Sequence, residues 1–223
     1  AGCCPPVCQL MAPMADGLPP SIPALILASQ SASRRAMLDA AGVRYTAIPA
    51  HIDEGAIKDA GQAQGLGAGQ IADQLAEQKA LAIARLHPGA LVIGSDSIVS
   101  TGLLAATRLF DKPRDRADAA AHLRAFSGQD MWLSSAVAVA MGDQILWRHV
   151  DQVRLAVRSL SEDFIATYLD AEWPAIAGCV GCFRIEGPGV QLFSALNGDY
   201  FTILGMPLLP LLGFLRQQGV LPT

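Results

Sequence analysis

A run of three serines and two arginines follows the first apolar segment of the chain. The serines are Ser29, Ser31 and Ser33, and Arg34 and Arg35 come directly after them. A helix is predicted to begin here, so its free backbone N–H groups and positive dipole end would favour a bound anion. Serine hydroxyls add donors, and an arginine can bind two phosphate oxygens at once. The run therefore indicates a phosphate site, with a helix-capping serine beside two solvated arginines as the alternative.

A second polar group follows the apolar run of residues 90–94, which predicts a buried strand. Ser95, Asp96 and Ser97 come directly after it, where we expect the chain to leave the strand. Ligands of α/β proteins lie beyond the carboxyl ends of the strands. A carboxylate there can hold a divalent cation or accept a proton from water. The alternative is an aspartate that only forms a turn, and the segment alone does not decide between the two.

Further charged residues are scattered along the chain. Glu54 follows Asp53, Lys79 lies in a predicted helix, and Lys112 precedes Pro113. The residue before a proline favours extended backbone, so the Lys112 ammonium could reach into a cleft. Taken singly, each of these charges is more typical of a solvated surface than of a site.

The polar segments form a specific pattern when they are taken together in chain order. They are Ala28-Ser29-Gln30-Ser31-Ala32-Ser33-Arg34-Arg35, Asp53-Glu54, Gln78-Lys79-Ala80, Ile93-Gly94-Ser95-Asp96, Lys112-Pro113, Ser127-Gly128, Glu186-Gly187 and Gly205-Met206-Pro207-Leu208. This pattern resembles the Maf family of nucleoside triphosphate pyrophosphatases, also called septum formation inhibitor proteins. The resemblance extends from about residue 24 to the C-terminus.

The resemblance implies two lobes around a deep cleft, usually in a homodimer. It also implies hydrolysis of a nucleoside triphosphate to the monophosphate and pyrophosphate with Mg²⁺ or Mn²⁺. Matched by position, Asp96 resembles the catalytic base, Glu54 the acidic residue near the metal and water, and Lys79 a catalytic, phosphate-neutralising lysine. Glu54 and Asp96 are then the expected metal ligands. The positions that match phosphate-binding residues of the family are Ser29, Ser31, Arg34 and Lys112.

Three further positions are those that the family uses to select the base, namely Ser33, Ser97 and Glu186. Two familiar subgroups carry Arg or Trp at the first position and Thr or Gln at the second, so Ser33 and Ser97 fit neither. Glu186 fits the second subgroup and could accept hydrogen bonds from a guanine-type edge, although a structural glutamate beside Gly187 is an equal alternative. The preferred base is therefore left open.

The order of predicted elements indicates an α/β fold with a mixed, partly antiparallel twisted sheet and flanking helices. Apolar runs and alternation predict strands at residues 24–28, 43–49, 90–94, 131–141, 144–158, 177–186 and 190–196, with a turn at Gly142-Asp143. Helical spacing and end signals predict helices at residues 34–41, 71–86, 115–126, 161–169 and 207–218. The polar, glycine-rich stretch 51–70 is predicted to be a flexible loop.

The composition argues against several other classes of protein. The 223 residues carry a formal net charge of −4, and only 6% of them are aromatic. A nucleic-acid or anionic-membrane binder usually shows a basic field, so we expect neither partner. The five cysteines are odd in number and clustered, which fits a reduced, cytoplasmic protein. Residues 1–20 are expected to form a disordered leader, and residues 21–223 one catalytic domain.

Two functions remain open at this point. The first is a nucleoside triphosphate pyrophosphatase, and the alternative is a nucleotide-binding regulator of cell division with little turnover. The joint presence of Asp96, Lys79 and Lys112 favours the enzyme.

Overall fold

Seven strands form one mixed sheet in the computed structural model, which describes residues 23–102 and 107–222. They are β1 (Leu25–Leu27), β2 (Thr46–Ala47), β3 (Leu91–Thr101), β4 (Arg108–Phe110), β5 (Asp130–Met141), β6 (Gln144–Val157) and β7 (Phe193–Asn197). Their order is β2-β1-β3-β5-β6-β7, with β4 also paired with β3. Strand β1 is parallel to β2 and β3, and the other pairs are antiparallel. The predicted mixed sheet is therefore confirmed.

Helices flank this sheet along the described part of the chain. They are α1 (Ala32–Ala40), α2 (Glu54–Ala63), α3 (Ala68–Ala84), α4 (Arg116–Phe126), α5 (Glu162–Glu172), α6 (Tyr200–Ile203) and α7 (Leu208–Gln217), with a 3-10 helix at Pro188–Leu192. Between residues 23 and 222, with 103–106 left aside, none of them has the length and apolarity that a membrane crossing requires.

Three apolar clusters hold these layers together, because successive side chains of a strand face opposite sides of the sheet. Helix α3 covers one face, where Leu75 packs with Val92. Helices α1 and α7 cover the other face, where Leu38 packs with Ile93. Helices α4 and α5 enclose a third cluster at the far ends of β5 and β6. The first two clusters form one lobe and the third forms the other, so the predicted two lobes are present.

Strand β3 is left unpaired along part of one edge. Strand β1 pairs with it as far as Ile93, and β4 pairs with it from Val99 onwards. Between these points β3 is paired with β5 alone, and Asp96 lies opposite Ala136. The sheet therefore has a gap on the β1 side at the level of Asp96.

The prediction of a flexible loop over residues 51–70 is wrong. The stretch forms α2 and the beginning of α3, with Asp53 capping α2 through a 2.9 Å bond from the Ala56 N–H to its carboxylate. Gly65, at φ +72°, follows the end of α2, where the left-handed conformation favours glycine. The glycines mark a boundary between two helices rather than a loop.

Two further expectations are corrected. The chain does not leave β3 at Ser95, because β3 continues to Thr101 and the long partner β5 pairs with it throughout. Residues 177–186 form turns instead of a strand, and the strand predicted at 190–196 begins only at Phe193. The predicted leader of residues 1–20 lies outside the described residues.

Candidate active site

A cleft of about 1300 Å³ opens between the two lobes at the gap in the sheet. All ten residues singled out by the sequence line it. They are Ser29, Ser31, Ser33, Arg34, Glu54, Lys79, Asp96, Ser97, Lys112 and Glu186. Segments that are distant along the chain therefore meet in one place, as the motif pattern predicts.

A lysine between two carboxylates forms the floor of the cleft. The Lys79 Nζ lies 2.5 Å from Asp96 Oδ1 and 2.7 Å from Glu54 Oε1. Lys79 and Asp96 are each only 7% exposed, whereas the Glu54 side chain is 37% exposed. The ammonium thus neutralises two acidic groups that would otherwise repel each other at short range.

The close approach of α3 to β3 brings Lys79 to Asp96. A Cβ at Gly94 would lie 2.1 Å from the Ala76 carbonyl oxygen and 2.6 Å from the Ala80 nitrogen. Only glycine lets the two backbones come this near, since no side-chain movement can relieve a clash with backbone atoms. Gly94 is on the same face of β3 as Asp96, and Ala80 follows Lys79.

Arg34 is buried, and its guanidinium connects three segments of the fold. Its Nε donates to the Gly205 carbonyl at 2.9 Å, and its Nη1 donates to the Ser95 carbonyl at 2.8 Å. Its Nη2 donates to the Ser97 hydroxyl at 3.1 Å. Arg34 therefore binds the residues on both sides of Asp96 at the unpaired edge of β3. Burial lowers its pKa, and the nearby Asp96 and Glu54 carboxylates oppose that effect.

The serines of the first motif shape the start of α1. The Ser31 hydroxyl accepts the Arg34 N–H at 3.4 Å, so Ser31 does cap the helix. The Ser29 hydroxyl accepts the Ser31 N–H at 3.2 Å. Among the described residues, the backbone N–H groups of Ala32 and Ser33 have no hydrogen-bond partner. The cap and an anion site are therefore compatible, because two free donors remain at the cleft.

The opposite wall carries Lys112 and Glu186, both exposed to the cleft. Neither side chain makes a hydrogen bond or an ion pair within residues 23–102 and 107–222. Cys179, which also lines this wall, and the buried Cys182 are free thiols. Burial raises the pKa of Cys182 to about 12, which makes the thiolate scarce near neutral pH.

The sequence motifs do not indicate two further ion pairs of the cleft. The Lys58 Nζ lies 2.5 Å from Asp111 Oδ1. Arg184 binds Glu172 through two hydrogen bonds of 3.0 Å, from Nε and Nη2. Lys58 is one helical turn after Glu54 on α2, so a helix prediction over this segment would have indicated it.

The surrounding lysines set the charge state of the half-buried Glu54 carboxylate. Burial alone would raise the pKa of Glu54, but its bond to Lys79, with Lys112 and Lys58 nearby, lowers it below the ordinary value. Burial likewise would lower the pKa of Lys58, but Asp111 raises it above the ordinary value. Glu54 is therefore ionised and Lys58 protonated at neutral pH.

Glu54 and Asp96 are the groups that could hold a divalent cation. Lys79 binds one oxygen of each carboxylate, and each has a second oxygen. No cluster of three or more His, Cys, Asp or Glu ligands occurs in the part of the chain that the structure describes. Magnesium is commonly held by one or two carboxylates together with water and substrate phosphates, so the donor set fits such an ion.

Fold and site together define an α/β protein with a charged cleft at a gap in its sheet. The family described as Maf-like protein matches residues 24–218, and the chain belongs to this family. It is 48% identical over 197 residues to a nucleoside triphosphate pyrophosphatase of Granulibacter bethesdensis, covering 88% of this chain and 98% of that protein. It is 45% identical over 199 residues to a 7-methyl-GTP pyrophosphatase of Rhizobium meliloti, covering 89% and 98%. A nucleoside triphosphate pyrophosphatase of Hyphomonas neptunium is 44% identical over 200 residues, covering 90% and 98%.

Proposed function

We propose that this protein hydrolyses a nucleoside triphosphate to the monophosphate and pyrophosphate. The observation that carries the proposal is the Glu54–Lys79–Asp96 cluster on the floor of a cleft between two lobes. Relatives at 44–48% identity are named as nucleoside triphosphate or 7-methyl-GTP pyrophosphatases, which indicates the reaction class. The family resemblance alone would also allow a regulator with little turnover, and the complete acid–base cluster favours the enzyme.

Charge neutralisation comes first in this proposal. Attack at phosphorus depends more on placing the reactants and stabilising charge than on covalent help. Lys79 approaches the phosphates from the floor of the cleft, and Lys112 approaches them from a wall. Ser29, Ser31 and the free N–H groups of α1 bind phosphate oxygens, and Arg34 adds a buried positive charge behind them.

The carboxylates act on the attacking water. Asp96 accepts the proton of that water, and its rigid position in β3 aims the water at the phosphorus. Glu54 orients the same water from α2. Lys79 keeps both groups close together as carboxylates, because without it their charges would repel each other.

We further propose that Glu54 and Asp96 hold Mg²⁺ or Mn²⁺ together with the substrate's phosphates. The bound ion supplies Lewis acidity and extra positive charge at the phosphate chain. Each carboxylate offers the oxygen that Lys79 leaves free. Among the described residues no third His, Cys, Asp or Glu joins them in a cluster, so the substrate and water would supply the remaining ligands.

Selection of the base falls on the far wall and the start of α1. Glu186 and Ser33 line the cleft, and neither side chain has a bonding partner among the described residues. The Ser97 hydroxyl, in contrast, bonds to Arg34, Ser135 and the Gly205 carbonyl. We therefore propose that Glu186 and Ser33 contact the base, while Ser97 acts by fixing its neighbours.

The decisive measurement is pyrophosphate release from a panel of nucleoside triphosphates with Mg²⁺ or Mn²⁺. The panel includes the four ribonucleotides, their deoxy forms and methylated purines, 7-methyl-GTP among them. We expect release from at least one member, a monophosphate as the second product, and loss of release with a chelator. Tight nucleotide binding without any product would instead favour the regulator.

Homodimer formation and a cytoplasmic location complete the proposal. Strand β6 exposes Leu146 at 41% and Val150 at 38%, large apolar side chains that a second copy could cover. Free nucleoside triphosphates are the substrates that the cytoplasm supplies. Light scattering coupled to size exclusion is expected to give twice the mass of 23.4 kDa.

A further inference from the structure

Lys58 is a cleft residue that the activity proposed above does not use. It lies on α2 one turn after Glu54, and its side chain is 19% exposed. Residues four apart share a helix face, so α2 presents an acid and a base to the same cleft. The ammonium of Lys58 pairs with Asp111, which directly precedes Lys112 on the other wall.

Most other cations of the cleft already have hydrogen-bond or ion-pair partners within the protein. Lys79 bonds to two carboxylates, and Arg34 donates to two backbone carbonyls and two hydroxyls. Arg184 is held by both oxygens of Glu172. A triphosphate brings several negative charges, so it needs cations whose bonding capacity is free or easily exchanged.

The partner of Lys58 is weakly held. The Asp111 side chain is 73% exposed, and an ion pair to a solvent-exposed carboxylate contributes little to stability. Water can solvate the Asp111 carboxylate as soon as Lys58 leaves it. Exchanging that partner is therefore easy, whereas moving Lys79 would leave two carboxylates without their counter-ion.

We propose that Lys58 is a phosphate-binding residue whose ammonium exchanges the Asp111 carboxylate for a phosphate oxygen of the nucleoside triphosphate. The exchange keeps Lys58 charged and paired in both states. Before the substrate binds, Asp111 compensates the charge of Lys58 in the open cleft. When a phosphate oxygen takes its place, Asp111 is released to solvent. This inference rests on the proposed pyrophosphatase function and adds a third lysine to it.

A purely structural role for Lys58 makes a different prediction. If Lys58 only held the segment that carries Lys112, removing Asp111 would harm the protein as much as removing Lys58. If Lys58 binds phosphate, removing Asp111 eliminates a competitor. The variants Lys58→Met and Asp111→Asn therefore separate the two roles.

The test measures kcat/KM for the preferred nucleotide and the inhibition constant of inorganic pyrophosphate. We expect Lys58→Met to lower kcat/KM and to weaken pyrophosphate inhibition, each by about 10- to 100-fold, as for loss of a hydrogen bond to a charged group. Lys58→Arg should recover most of both. Asp111→Asn should strengthen pyrophosphate inhibition.

Two results would overturn the inference. One is a Lys58→Met variant with wild-type kcat/KM and pyrophosphate inhibition. The other is an Asp111→Asn variant that loses as much of both as Lys58→Met does. Circular dichroism and the melting temperature verify that each variant folds. If Lys58→Met does not fold, Lys58→Gln is used in its place.

Failure of the proposed function is distinguishable from failure of the inference. In that case the wild-type protein releases no pyrophosphate from any triphosphate. Calorimetric titration of the wild type and Lys58→Met with pyrophosphate then decides on Lys58 alone. A dissociation constant that Lys58→Met leaves unchanged counts against it.

Discussion

Arg34 and Gly205 are 171 positions apart, yet the Arg34 Nε donates to the Gly205 carbonyl oxygen at 2.9 Å. The same guanidinium donates to the Ser95 carbonyl in β3. One side chain therefore ties the start of α1 and the segment before α7 to the strand that carries Asp96.

Arg34→Met should destabilise the protein and lower its activity. The buried Ser95 carbonyl would lose the donor that Arg34 supplies, which costs about 1–3 kcal/mol, whereas the Gly205 carbonyl would keep the bonds from the Ser95 and Ser97 hydroxyls. Arg34→Lys keeps the charge but cannot reach all acceptors at once, so it should recover only part of the loss. Urea unfolding and pyrophosphate release measure the two effects.

The control for Arg34 is its exposed neighbour Arg35. Arg35→Met should change the free energy of unfolding by no more than about 0.5 kcal/mol, as is usual for surface positions. Wild-type stability and turnover in Arg34→Lys would show that the forked hydrogen bonding is dispensable.

Asp96→Asn should abolish most turnover and leave the fold intact. The amide has nearly the same shape but cannot accept a proton from water, and removing a general base typically costs about 10²–10⁴ in rate. Single-turnover kinetics with metal present measures the loss. Asp53→Asn is the matched control, since asparagine also caps helices and Asp53 caps α2; activity that survives in Asp96→Asn would refute the assignment.

Lys79→Met should destabilise the protein more at neutral pH than at acidic pH. The Glu54 pKa lies below its ordinary value in the folded protein, so its ionised form stabilises the fold at pH above the unfolded value, and that stabilisation is lost as pH falls through the folded value. Without Lys79 the two carboxylates repel each other until protonation relieves them. Urea unfolding of both proteins across the acid range tests this, and a pH-independent difference would contradict it.

Gly94→Ala should separate α3 from β3 and so misplace Lys79. The added Cβ would lie 2.1 Å from the Ala76 carbonyl oxygen, and overpacking of this kind typically costs about 1–3 kcal/mol. We expect lower stability together with lower kcat. Gly213→Ala in α7 is the control: nothing lies within 4 Å of its Cβ, and a helical alanine should stabilise by about 0.5–1 kcal/mol.

Lys112→Met should move the acid limb of the pH–rate profile upwards. Lys112 is one of the lysines that lower the Glu54 pKa, so its removal lets Glu54 take up a proton at higher pH. The position of the limb, taken from kcat/KM against pH, is independent of the absolute loss in rate. Arg114→Met is the control, because this cation pairs with Asp118 at 3.1 Å and not with Glu54. An acid limb that does not shift in Lys112→Met would count against the effect of Lys112 on the Glu54 pKa.

Local patterns predict much of this fold because they report side-chain faces directly. The alternation over residues 131–158 gave the β5–β6 hairpin, and the apolar spacing after Ile71 gave most of α3. Long-range pairing is what such patterns lack. Ser95 and Ser97 are typical of a strand exit, and only the partner strand β5 keeps them in β3.

The candidate site could be predicted as a set of residues but not as a network. The motif pattern identifies ten side chains of the cleft, because each motif is a short, contiguous segment that can be recognised in the sequence. It misses Lys58, because residues 51–70 are predicted to be a loop. Only the helix shows that Glu54 and Lys58 lie on the same face. The motif pattern also misses the tie to Gly205, because a backbone carbonyl leaves no trace in residue types.

The gap beside β3 separates a rigid, strand-paired side of the cleft from a side that is built of turns. Asp96 is held by a full run of pairing with β5 and cannot be retuned without disturbing the sheet. The facing wall consists of turns around residues 177–186, whose backbone is not paired in the sheet. If Glu186 on this wall contacts the base as proposed, substitutions there change the preferred nucleotide and leave the hydrolytic step as it is.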